Sequence, residues 1–176
     1  LVFTTVHCDG FANWPSNVTA YNIANTPFAR DVYGELVAAF RAHGMRVGAY
    51  VCPTLWNNDQ FWWPDALSAV GVAESPTYNT TERPDLWQSY LSTLHGMVSE
   101  LATKYQPDLF WFDCHDSPTT MDTMLERVVA PIRSANPSAL ILVRNGPFSD
   151  YAELVDKSAA SAESILGQIQ TRAGTQ

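Results

Sequence analysis

Four short segments of the chain are almost unbroken in apolar and β-branched residues: LVFTTV (1–6), RVGAYV (46–51), DLFWFD (108–113) and ALILVR (139–144). Runs of this length and composition predict strands buried on both faces, as in a parallel sheet flanked by helices. Between them the apolar period changes to three and four. Residues 29–44 place Val32, Leu36, Val37 and Phe40 on one helical face and end at Gly44, a residue suited to the position after a helix. Residues 83–105 repeat the pattern with Leu86, Tyr90, Leu94, Met97, Val98 and Leu101, and Asp85 near the start favours the helix dipole. A third helix is predicted over 120–135, bent or broken at Pro131.

Strand and helix alternating without hairpin signals imply parallel strands joined by right-handed crossovers. A doubly wound sheet and a (β/α)8 barrel both satisfy that pattern. No G-x-G-x-x-G turn follows any strand, which weakens the dinucleotide-binding sheet. The C-terminal strand ends favour the barrel. They carry His7, Cys8 and Asp9; Tyr50 and Cys52; Asp113, Cys114 and His115; and Arg144 and Asn145. Barrel enzymes assemble their active sites from several strands at that face. The predicted fold is therefore α/β, a partial (β/α)8 barrel spanning 1–176 with about four βα units and the outer strands missing. The opening LVFTTV and the polar tail SAASAESILGQIQTRAGTQ are read as the ends of a piece of a longer protein.

Composition narrows the chemistry. A formal charge of −8 argues against nucleic acid as partner, because such surfaces cluster Lys and Arg. No segment approaches the roughly 20 apolar residues of a membrane span. Residues 53–82 are aromatic and weakly patterned, as expected of a substrate rim. Cysteines stand at 8, 52 and 114, all near strand ends, and read as small buried side chains or one disulfide pair. Sequons at Asn17 and Asn79 fit a secreted glycoprotein, extracellular or lysosomal/vacuolar.

Asp113 is the residue on which the chemistry turns. A carboxylate at the mouth of a buried strand suits a nucleophile or general base, and equally a helix cap or a partner for arginine. Arg144 can pair with it or donate to ligand oxygens. His7 can donate to a ligand, bind metal or sit satisfied in the interior. A catalytic metal held by His7, Asp9, Asp113, His115 and Asp116 is a further option, but no metal-ligand spacing supports it. The reading assigns no metal and no cofactor.

Longer motifs then appear in order. TTVHCDGFANWPSNVTAYN resembles the T-T-K-H-H-D-G-F-x-x-W-x-S-x-x-T-x-Y-N segment of α-L-fucosidases, glycoside hydrolase family 29. RDVYGELVAAFRAHGMRVGAYVCPTLW and YLSTLHGMVSELATKYQPDLFWFD are similar to later blocks of that family, and ILVRNGPFSDYAE is weakly similar.

The resemblance implies a retaining exo-glycosidase that releases terminal α-L-fucose from glycans. It gives Asp113 the nucleophile's role and Glu153 that of acid/base, with Glu163 as fallback. His7, Tyr50 and Arg144 become sugar-pocket residues, and Trp14 and Trp56 shape the pocket wall. The implied partners are a fucosylated glycan or glycoconjugate and the remainder of the barrel or other chains. Cys8, Cys52, Cys114 and Val6 depart from the family's His, Ser, Gly and Lys. Those departures define the alternative, a catalytically inactive barrel that binds sugar or serves as a structural component of an assembly.

Overall fold

The computed structural model describes residues 1–62, 76–113 and 118–144, with the side chains of 118–122 outside that description. The predicted alternation is present. Strands β1 (Val2–Val6), β2 (Gly48–Val51), β3 (Leu109–Phe112) and β4 (Leu140–Val143) form one parallel sheet in sequential order. Helices α1 (Val32–Ala42), α2 (Pro84–Tyr105) and α3 (Pro118–Ala135) make the crossovers. Each strand is one or two residues shorter at its ends than its apolar run, and α1 is shorter than the predicted 29–44.

Register divides the sheet into two faces. Ala49, Phe110 and Ile141 pair across the strands, as do Val51, Phe112 and Val143, and all are buried in the core with α2 and α3 residues. Val98, Leu101, Leu125, Val128 and Ile132 belong to the same cluster. The opposite face carries Tyr50, Trp111 and Leu142 in one row, as a two-residue period requires. Burial on both faces holds only for β2. Leu109 and Trp111 of β3 are half-buried, and Val2 and Leu140 are exposed. The difference is positional: β1 and β4 lie at the ends of the described sheet, and among the described residues no helix covers the Trp111 face.

Of the two outcomes expected at Pro131, a bend or a break, the break does not occur: α3 runs through it. Proline removes one backbone donor and costs an isolated helix about 3 kcal/mol. Burial of Val128 and Ile132 on either side of it holds the helix continuous.

Two features build the sheet's upper end. Register shifts between Thr4 and Val6 of β1, a bulge that turns Thr5 inward. Its hydroxyl, fully buried, donates to the Tyr50 carbonyl at 2.7 Å. Beyond β1 the chain turns at Gly10, whose N–H donates to the His7 carbonyl at 2.8 Å. Gly10 has φ +81°, and a Cβ there would lie 1.9 Å from Asn57 Oδ1. Only glycine meets both demands without strain.

The loop after that turn is held from α2. Glu100 accepts from Trp14 Nε1 at 3.0 Å, Ser16 Oγ at 2.7 Å and the Asn17 N–H at 2.7 Å. Asp31, the N-cap of α1, accepts from the Gly34 N–H at 2.9 Å and from Lys104 and Tyr105 at the end of α2. One carboxylate thus caps a helix and ties two crossovers together.

Candidate active site

The sheet ends level. The backbone N–H groups of Cys52, Asp113 and Arg144 donate to Val6, Val51 and Phe112 carbonyls at 3.0, 3.1 and 3.0 Å. Each residue is therefore fixed by the ladder of the strand beside it, although it stands one position past its own strand. The three lie side by side at the mouth.

Asp113 is gripped from two sides. Tyr50 donates its hydroxyl to Oδ2 at 2.5 Å, and Arg144 Nη1 stands 2.9 Å from Oδ1. The ion pair is half-buried, with the side chains of Arg144 and Asp113 keeping 24% and 16% of their exposure. Burial raises the Tyr50 phenol's pKa well above its usual value, and the Asp113 bond raises it further, so Tyr50 remains a donor.

Aromatic faces line the same side. The His7 ring stacks on Tyr50 with centroids 5.5 Å apart and planes 12° from parallel. Trp111 lies 4.9 Å from Tyr50, and the Arg144 guanidinium sits 4.8 Å from the Trp111 ring centre, a geometry that orders the cation. Trp56 is exposed at the rim, and its backbone N–H donates to the Cys8 carbonyl at 2.7 Å. This is a carboxylate with one charged and one phenolic donor, bordered by apolar ring faces. It can bind a ligand that presents both hydroxyls and a hydrocarbon face, and it can supply an oxygen nucleophile.

The structure brings His7, Tyr50, Asp113 and Arg144 together and sets Trp56 at the edge. Trp14 is elsewhere, which corrects its expected place in the pocket wall. It is fully buried, and its indole N–H is spent on Glu100; the motif tryptophan supports a loop from behind. Glu153 and its fallback Glu163 lie outside the described residues, as do Cys114, His115 and Asp116. Among the described residues no three His, Cys, Asp or Glu side chains converge as metal ligands would.

Sequence reasoning missed Trp111. It was read as part of a greasy run, yet it stands two positions before Asp113, and residues i and i+2 of a strand share a face. The carboxylate alone was signal enough to find it.

Comparison with known proteins agrees with this geometry. A family model described as alpha-L-fucosidase matches residues 1–164. A putative alpha-L-fucosidase 1 of Oryza sativa subsp. japonica is 32% identical over 152 residues, covering 84% of this chain and 25% of that protein. The chain thus spans about a quarter of that curated relative's length. A Bacteroides thetaiotaomicron alpha-L-fucosidase, solved as a trapped covalent intermediate with 2-fluoro-fucosyl fluoride using a Glu-to-Gln mutant, superposes with TM-score 0.64. It is 26% identical, over 85% of this chain and 35% of that one. Alpha-L-fucosidase isoenzyme 1 from Paenibacillus thiaminolyticus gives TM-score 0.64 at 32% identity, over 80% of this chain and 33% of that one. The four parallel strands and three crossover helices are part of a (β/α)8 barrel.

Proposed function

The chain belongs to the α-L-fucosidase family, and from that membership we propose that the full-length protein is a retaining exo-glycosidase acting on terminal α-L-fucose of glycans. The observation that carries the proposal is the double grip on Asp113 by Tyr50 and Arg144 at the barrel mouth. Asp113 attacks the anomeric carbon as the aglycone leaves, and a second carboxyl protonates the departing oxygen. Water, activated by that same second group, then releases the sugar and restores Asp113. A covalent intermediate trapped in the Bacteroides relative with a Glu-to-Gln mutant supports both halves of this scheme.

Tyr50 and Arg144 fix the carboxylate's orientation, so little ordering remains to be done when the sugar arrives. His7, exposed above Tyr50, donates to a sugar hydroxyl, and Trp56 meets the aglycone at the rim. Glu153 is the proposed acid/base, because it follows the Arg144 strand in a segment resembling the family's. The exposed Asn17 and Asn79 support N-glycosylation and a secreted or lysosomal/vacuolar location.

The direct assay is hydrolysis of an aryl α-L-fucoside by the full-length protein. Asp113→Asn is expected to lower kcat by at least about 10³-fold, of the order that loss of a catalytic nucleophile removes. Turnover left intact by Asp113→Asn would overturn the assignment.

A further inference from the structure

Cys8 and Cys52 take no part in that scheme, yet the fold brings them together. Cys52 directly follows β2, and Cys8 lies two residues beyond β1, which pairs with β2. The turn closed by Gly10 folds Cys8 back across the strand end, leaving the two Sγ atoms in contact at 2.7 Å. Both backbones are fixed: the Cys52 N–H bonds the Val6 carbonyl, and the Cys8 carbonyl accepts from Trp56. The Thr54 hydroxyl serves both sulfurs, 3.1 Å from Cys52 and 3.6 Å from Cys8. Tyr90 of α2 donates to the Pro53 carbonyl and so braces the segment that leads from Cys52 to Thr54.

The two thiols are unequal. Cys8 is half-buried and reachable, whereas Cys52 is fully buried. We propose that Cys8 and Cys52 are a redox-active dithiol, with Cys8 as the attacking sulfur and Cys52 as the resolving one, whose oxidant is a low-molecular-weight disulfide. The Cys8 thiolate attacks one sulfur of the oxidant, forming a mixed disulfide and expelling one thiolate. Cys52 attacks the Cys8 sulfur and expels the second thiolate, which takes the Cys52 proton. The two cysteines are oxidised to one intramolecular disulfide, and the oxidant is reduced to two thiols.

Electrostatics divide the roles in the same direction. The hydrogen bond from Cys52 is the largest influence on Cys8. It outweighs burial and, with Thr54 and the neighbouring His7, lowers the Cys8 thiol to about 6 despite the nearby Asp113 carboxylate. The Cys52 thiol is raised by donating that bond and by burial. A reachable low-pKa thiol beside a buried resolving one is the arrangement that thiol–disulfide exchange needs.

The test uses the full-length protein, reduced, freed of reductant and exposed to oxidised glutathione at neutral pH. After acid quenching and alkylation, a non-reducing digest is expected to give one linked pair of peptides containing Cys8 and Cys52. That pair is two hydrogens lighter than its separate thiol peptides. Cys52→Ser is expected to stop at a glutathione adduct on Cys8, and Cys8→Ser to leave Cys52 unmodified until the protein is denatured. Alkylation of Cys8 against pH is expected to titrate near 6. A lasting glutathione adduct on wild-type Cys8, a link through Cys114, two thiols still open to alkylation, or a midpoint at the free-thiol value of about 8.5 would each overturn the proposal. None of these readouts depends on fucoside turnover.

Discussion

Arg144 and Asp113 offer a test of how dry the barrel mouth is. The perturbation is a double-mutant cycle with Arg144→Met and Asp113→Asn, which keep volume while removing charge. At the observed 2.9 Å separation, and an effective dielectric near 20, two unit charges attract by about 6 kcal/mol. Desolvation, several kcal/mol for each fully buried ion, offsets much of that. The partial exposure of both side chains also lets solvent screen the pair. A coupling of about 1.5–3 kcal/mol remains, the range for a hydrogen bond between charged groups. Arg83–Asp85 provides the control at a similar distance, 2.8 Å, because its side chains are 42% and 63% exposed; its coupling should be clearly the smaller of the two. The assay is urea unfolding of the full-length single and double variants in low salt and again in 1 M NaCl, where screening reaches about 3 Å. Trp111 is also freed of its cation in Arg144→Met, but that loss occurs in both arms of the cycle and cancels. Equal coupling for the two pairs, or disappearance of the Arg144–Asp113 coupling in salt, would refute a desolvated mouth.

Two further outcomes follow from the rest of the fold. Burial of the Asp31 carboxyl opposes its charge, but bonds from Lys104, Gly34 and Tyr105 win and hold its pKa below the usual carboxylate range. The unfolded chain then binds the extra proton first, so this contribution is complete above about pH 4 and is lost as pH falls through the folded value. Acid unfolding followed by circular dichroism should show a shallower low-pH limb in Asp31→Asn, and an unchanged limb would remove Asp31 from the account. If the protein is secreted as proposed, amidase removal of N-glycans from protein secreted by a eukaryotic host should lower its mass. It should also convert Asn17 or Asn79 to Asp, and two unmodified asparagines would count against that route.

Much of the fold could be read because the apolar runs were buried enough to dominate their neighbourhoods. Phe110 and Phe112 announced β3, and the spacing of Leu94, Met97, Val98 and Leu101 announced α2. What stayed hidden depends on contacts distant in sequence. Glu100 looked like a surface acid of α2, and only the fold brings it to Trp14, Ser16 and Asn17. The β1 bulge left no sign in LVFTTV, although it turns Thr5 onto Tyr50. Asp113 and Arg144 were legible as strand-end charges, but their pairing required the order of β3 and β4. Whether Pro131 would break α3 depended on the packing on either side of it, which intrinsic helix propensity does not carry.

The level edge of the sheet has a consequence for how such a site can diversify. Neighbouring strands stand about 4.8 Å apart, close to the 5–5.5 Å that separates the two carboxyls of a retaining pair. The places on either side of Asp113 are already filled by Cys52 and Arg144, and neither is an acid. Under the proposed retaining scheme, the proton donor is therefore expected from outside the positions that flank Asp113 on the described sheet edge. In the proposed scheme the floor offered to the sugar would be locked to the sheet's register, and a proton donor from outside that edge could vary without shifting a strand. That scheme would assign the sugar and the linkage to different parts of the protein.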